Sequence, residues 1–137
     1  MKSVHTTNYT NAFIEVAEDC KAAAGAVPPE KAVKTIARMQ YDRIMRHPYQ
    51  YTSDDLIFGI HAERSGIGKA DLEKGRREFF CKGQACLRSS PLAKTYGWGI
   101  HFDSQGRVAI YPVESKEYAR FKADKGLKHL KAMRGAK

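Results

Sequence analysis

Residues 98–112, WGIHFDSQGRVAIYP, constrain the fold more than any other stretch of this chain. Asp103-Ser-Gln-Gly106 suits a type I turn followed by a glycine in the left-handed region, a connection that closes short β-hairpins. That turn sets a register in which Asp103 faces Arg107, Phe102 faces Val108, His101 faces Ala109 and Ile100 faces Ile110. Phe102, Val108, Ile100 and Ile110 then share one apolar face, and His101, Ala109, Gly99 and Tyr111 share the other. A slip of one residue would scramble this segregation, so turn chemistry and hydrophobic pattern support each other. The rest of the chain must then supply what packs on those two faces.

Residues 11–17, NAFIEVA, alternate as a strand. Residues 20–29 read as a loop closed by Pro28-Pro29, with Pro29 at the first position of a helix over 30–47. Val33, Ile36, Ala37, Tyr41 and Ile44 form its inward stripe, and Pro48 ends it. Leu56, Phe58, Ile60 and Ala62 alternate over 55–63, which predicts a strand; a helix capped by Ser53 is the alternative, because Ser-Asp-Asp is good N-terminal chemistry. Asp71 is placed to cap a helix from Leu72 to about residue 80. Ser90 as N-cap and Pro91 at the first position open a short helix that Gly97 stops. Ser115 caps a last helix, with Tyr118 and Phe121 inward; Gly126 interrupts it, and Leu127, Leu130 and Met133 continue at a spacing of three. The order predicts an α+β fold: a small, mostly antiparallel sheet of about four strands covered by helices. It forms a single domain over residues 1–137, with a basic C-terminal helical segment at 115–137.

A chain of 137 residues can bury a real core without staples. It contains no apolar run near the ~18 residues of a membrane span, and its first twenty residues lack the apolar stretch of a signal peptide. The expectation is a protein without membrane association. Cys20, Cys81 and Cys86 are odd in number, which points to free thiols, a reducing compartment and hence the cytoplasm. Net charge is +9, of which residues 116–137 carry +6 through eight Lys or Arg against Glu117 and Asp124. Such a segment suits nucleic acid or an anionic surface, and equally a solvated helix face.

Residues 79–101, FFCKGQACLRSSPLAKTYGWGIH, concentrate the chemistry-bearing side chains. Arg88 precedes a helix opened by Ser89-Ser90-Pro91, and a helix N-terminus suits an anion. Arg88 can add a bidentate contact, Lys82 or Lys94 a point charge, and Gly83 a close backbone approach. The alternative is that the serines only cap a helix and Arg88 meets an internal carboxylate. This is not a Walker loop, which needs GxxxxGK[ST]. One residue lies between Cys86 and Arg88 and six between Cys81 and Arg88, and neither spacing is that of a phosphatase-type loop. His101 shares its face with Gly99, Ala109 and Tyr111. Those small neighbours either leave room for a ligand or admit a closely packed helix. Tyr96 and Trp98 are packing anchors or stacking platforms. The five histidines show no HxxxH or HxH pairing, so no metal site and no cofactor are expected.

The chain resembles a family of small microbial proteins known only as a domain of unknown function. The residues that carry the resemblance are HTTNYTNAFIEVAEDC (5–20), VPPEK (27–31), PYQYTSDDLIF (48–58), the 79–101 run and GRVAIYPVESKEY (106–118). The family pattern has Ser where this chain has Cys81 and Pro where it has Ala85, which argues against a catalytic Cys81. The resemblance implies one complete domain and brings no activity, cofactor or catalytic residue.

These readings converge on binding of a small anionic or polar ligand by Lys82, Arg88, Ser89, Ser90, Lys94, Tyr96, His101 and Tyr111. Whether a reaction follows is open; His101, whose ordinary pKa lies near neutrality, is the best candidate acid or base. The alternatives are nucleic-acid binding through the basic C-terminus, without any reader motif, and a homo-oligomeric interaction module such as a homodimer.

Overall fold

The computed structural model describes residues 5–134. Its elements are β1 (Ala12–Glu15), α1 (Ile36–Arg46), α2 (Ser53–Ser65), α3 (Leu72–Phe79), α4 (Pro91–Lys94), β2 (Trp98–Phe102), β3 (Val108–Pro112), α5 (Lys116–Ala123) and β4 (Lys128–Lys131). Short 3-10 turns at Lys69–Asp71 and Leu87–Ser89 precede α3 and α4. The strands form one sheet in the order β3-β2-β1-β4. β1 pairs antiparallel with β2 and parallel with β4. The class is therefore α+β with a mostly antiparallel sheet, as the element order predicts.

The hairpin has the expected register, from Phe102 opposite Val108 to Ile100 opposite Ile110. Asp103 donates its N–H to the Arg107 carbonyl (3.0 Å), and its carboxylate accepts from the N–H groups of Gln105 and Arg107 (both 2.9 Å). Gly106 sits at φ 79°, where a side chain would strain the turn.

The sheet's two faces are unlike. Ala12, Ile14, Trp98, Ile100, Phe102, Val108 and Ile110 enter the main core with Ile44 of α1, Leu56 and Ile60 of α2, and Leu92 and Ala93 of α4. The opposite face presents Phe13, Gly99, His101, Ala109 and Tyr111, and α5 lies across it. A β-carbon on Gly99 would stand 2.5 Å from Phe13 Cζ and 2.6 Å from Tyr118 Cε2. Gly99 is therefore the position at which α5 packs directly on the sheet.

Three predicted elements are corrected. Residues 55–63 belong to helix α2, not to a strand. Their alternation arises because α2 buries two flanks: Leu56 and Ile60 face the main core, while Phe58 and Ala62 join Phe80 in a second cluster. Each pair has the i,i+4 spacing of one helical face. The cap is Thr52 rather than Ser53. Thr52 Oγ1 accepts from Asp55 N and Asp55 Oδ2 accepts from Thr52 N (both 3.1 Å), a reciprocal capping box. Helix α1 starts at Ile36, capped by Thr35, so Pro29 does not open it and residues 30–35 carry no helix. Within the predicted 115–137 helix, α5 ends at Ala123. Gly126 donates its N–H to Asp124 Oδ1 (2.8 Å) in a turn, and β4 follows, with Leu130 and Ala132 against the core. The last three residues of that segment lie outside the described residues.

Candidate functional site

The 82–101 residues divide between two places. Arg88 and Ser89 fasten β4 to the body of the domain. Arg88 Nε donates to the Lys131 carbonyl (2.7 Å), its carbonyl accepts from Met133 N (2.8 Å), and Ser89 Oγ donates to Met133 Sδ (3.1 Å). Ser90 caps α4 as its position predicts, accepting from Leu92 N (3.2 Å), but it is buried and its hydroxyl donates to Gln40 Oε1 (2.5 Å). The short α4 is thus plugged into the core at its N-terminus. Lys82 is exposed, and Lys94 and Tyr96 are half-buried.

His101 lies on the other face of the sheet. Its Nδ1 is 2.8 Å from Tyr49 Oη, and Tyr49 Oη is 2.8 Å from Tyr111 Oη. Phe121 of α5 stacks on the imidazole, with ring centroids 4.1 Å apart and planes 18° from parallel. Burial lowers the His101 pKa below its ordinary value, although Asp103 and Asp124 pull the other way. Burial and then the Tyr111 hydrogen bond push the Tyr49 phenol up. A neutral imidazole closes this chain when Tyr111 donates to Tyr49 and Tyr49 donates to Nδ1. Tyr49 holds a positive φ of 59° to reach the position. His101 and Tyr111 therefore do meet, through Tyr49, but beneath α5. Gly99 makes room for Tyr118, and Phe121 packs on His101 and Tyr111. Arg88 bonds β4 while His101 belongs to β2, with β1 between the two strands.

A second polar cluster went unrecognised in the sequence. Asp54, in the first turn of α2, is 8% exposed. Its Oδ1 accepts from Thr7 N and Thr7 Oγ1, and its Oδ2 from Thr6 Oγ1, all at 2.7 Å. Asn8 Oδ1 accepts from Asp54 N (2.9 Å), Thr7 Oγ1 lies 2.7 Å from Ser53 Oγ, and His5 donates its N–H to the Phe80 carbonyl (2.9 Å). Residues 5–8 thus tie the start of α2 to the end of α3. The buried carboxylate is satisfied by three donors and by the positive end of α2 rather than by a cation. Asp55 beside it bonds Arg76 Nη1 (2.8 Å), and the Arg76 guanidinium sits 5.8 Å from the Phe80 ring centre. Burial alone would raise the Asp55 pKa; the Thr52 N–H and Arg76 outweigh it and hold the carboxyl below its ordinary value.

This cluster borders an open groove of about 780 Å³, within the range of small-molecule sites. His5, Thr6 and Asp54 line it. Glu73, Lys74, Arg76, Arg77 and Glu78 of α3 line it too, together with Phe80 and Cys81. The sequence signal was present as two clusters, Thr-Thr-Asn and Ser-Asp-Asp, whose donors and acceptors match. Nothing local shows that they pair across 47 positions.

The three thiols are unpaired; Cys86 accepts from Tyr9 Oη (3.5 Å), and Cys20 donates to the Thr95 carbonyl (3.7 Å). Among the described residues no cluster of three or more His, Cys, Asp or Glu is arranged to hold a metal, and no helix is long and apolar enough to cross a membrane. Several basic side chains of the C-terminal segment have internal partners. Lys131 and Arg134 both bond Glu18 (3.3 and 2.7 Å), and Lys128 lies 5.5 Å from the Tyr9 ring centre.

Fold and groove together define a small α+β domain with an open, helix-covered sheet and a polar groove at one helix start. The chain belongs to a family of unknown function, DUF6157, whose model matches residues 4–137. No curated protein and no solved structure matches it.

Proposed function

We propose that this domain binds a small polar ligand with an anionic group in the groove between residues 5–8 and α3. The observation that carries this reading is the groove itself. It is an open space of ligand size lined by the hydrogen-bonded Thr6 and Asp54, by the cations Lys74, Arg76 and Arg77, and by the apolar Phe80. Buried, fully bonded side chains supply the preorganised part of such a site, and exposed cations supply the attraction. The acids Glu73, Glu78 and Asp54 favour a ligand that also carries donors. The free thiols fit a reducing compartment, and we place the protein in the cytoplasm on that ground.

Differential scanning fluorimetry with a panel of small carboxylates, phosphates and amino acids tests this. At least one compound should raise the melting temperature, and Lys74→Glu, at an exposed position, should abolish the rise without lowering the melting temperature of the free protein. The same compound should slow alkylation of Cys81, read by peptide mass spectrometry, and leave Cys20 unaffected. A rise that survives Lys74→Glu and is lost in Arg88→Ala would move the site to the 82–101 segment and defeat the proposal, as would a panel with no response.

A further inference from the structure

Residues 29–37 leave apolar side chains in solvent that their sequence pattern would bury. Val33 is 80% exposed and Ile36 44%. They border two adjoining hollows of about 390 and 420 Å³, which share Ile36 and Arg64 in their linings. Ile57 and Phe79 wall the first, and Val33 and Tyr96 the second. Among the described residues neither lining contains an acid; the cations are Lys31, Lys34 and Arg64. Arg64 Nη1 donates to the Lys34 carbonyl (3.2 Å), which fixes the guanidinium beside the second hollow's rim. Gln40, 6% exposed, reaches the first hollow with Oε1 held by the Ser90 hydroxyl, so its Nε2 donors are the polar group it can offer there.

We propose that this face docks an acidic segment of a partner protein, which seats one apolar side chain in each hollow and sets its carboxylates against Lys31, Lys34 and Arg64. Two features carry the assignment. Among the described residues, the Lys and Arg side chains that line the two hollows, Lys31, Lys34 and Arg64, have no acid beside them in either lining, the arrangement that steers and orients an oppositely charged chain. A second copy of this protein is a poor occupant. An isologous contact would bring the same three cations face to face between chains that each carry +9. The face shares no lining residue with the groove between residues 5–8 and α3, so the two proposals stand or fall separately.

The test is selection of short random displayed peptides against the full chain, with binding of the winners followed by fluorescence anisotropy. Winners should combine two apolar residues with Asp or Glu. Their affinity should fall with added salt. Val33→Asp should weaken them about tenfold or more, the loss expected when one apolar anchor is removed from an interface centre. Lys31→Glu with Lys34→Glu, both exposed, should weaken them again. Because Val33 makes little internal packing, the variant keeps its fold and its unfolding midpoint serves as the control. Any of four results overturns the proposal: no peptide is selected, winners lack acidic enrichment, Val33→Asp leaves binding unchanged, or the residues prove to mediate self-association or binding to anionic vesicles instead.

Discussion

Two polar clusters sit half inside this domain, and they differ in what lies over them. At the start of α2, Asp54 gathers Thr6 and Thr7 and borders an open groove. On the sheet, His101 gathers Tyr49 and, through it, Tyr111, and α5 closes over them with Phe121 stacked on the imidazole. Both clusters are hydrogen-bonded, and both contain a group whose chemistry invites a catalytic or binding role. The first has space beside it and the second has been filled. On our proposal it is the unfilled space next to an immobilised polar group, rather than side-chain chemistry alone, that marks the site.

The largest effect that sharpens this comparison belongs to Asp54→Ala. It strips the carboxylate from the buried Thr7 hydroxyl and N–H and from the more exposed Thr6 hydroxyl, and should cost about 3 kcal/mol of unfolding free energy in urea titration. A loss below ~1 kcal/mol would mean that the cluster is not structural and that the wall of the groove is soft. Gly99→Ala comes next. Its new methyl meets both Phe13 and Tyr118, so about 2 kcal/mol should be lost; a neutral result would show that α5 is loosely seated and that the His101 face can open to a ligand. Thr52→Ala removes one half of the α2 capping box and should cost about 1 kcal/mol.

The smallest effect is a pH slope. The folded-state pKa of His101 lies below its unfolded value near 6.5, so the unfolded chain binds the proton more readily. The stabilisation is complete above about pH 6.5 and is lost as pH falls toward the folded pKa. Asp55 also loses stabilisation on acidification, but only below its ordinary range near pH 4, as the pH drops through its lowered folded pKa. His101→Gln should flatten stability against pH above pH 5 and leave the acid limb in place. An unaltered slope would assign it to another histidine.

Much of the fold was legible in the sequence, and the exceptions share a cause. The hairpin could be read because turn chemistry, register and two-faced patterning lie within residues 98–112 and agree. Ser90-Pro91 and Ser115 mark helix starts for the same local reason. Helix α2 reads as a strand because tertiary burial on two flanks imposes alternation on a helix. β4 reads as helix because it is an exposed edge strand of four residues, and its placement depends on pairing with β1, over a hundred positions earlier in the chain. The site followed the same rule. His101 and Tyr111 were joined by hairpin register, whereas Thr6, Thr7 and Asp54 meet only after the chain has folded. The run at 79–101 draws attention by composition, yet much of its polarity is spent on fastening β4, capping α4 and closing the His101 face.

We propose that the open cluster, not the covered one, is where this protein meets a ligand. An amide chemical-shift map of the full chain, titrated with the compound that stabilises it in the fluorimetric panel, tests this most directly. Shifts should concentrate at His5, Thr6, Lys74, Phe80 and Cys81, with His101, Ala109 and Tyr111 still. Shifts centred on His101 and α5, with residues 5–8 unmoved, would contradict it.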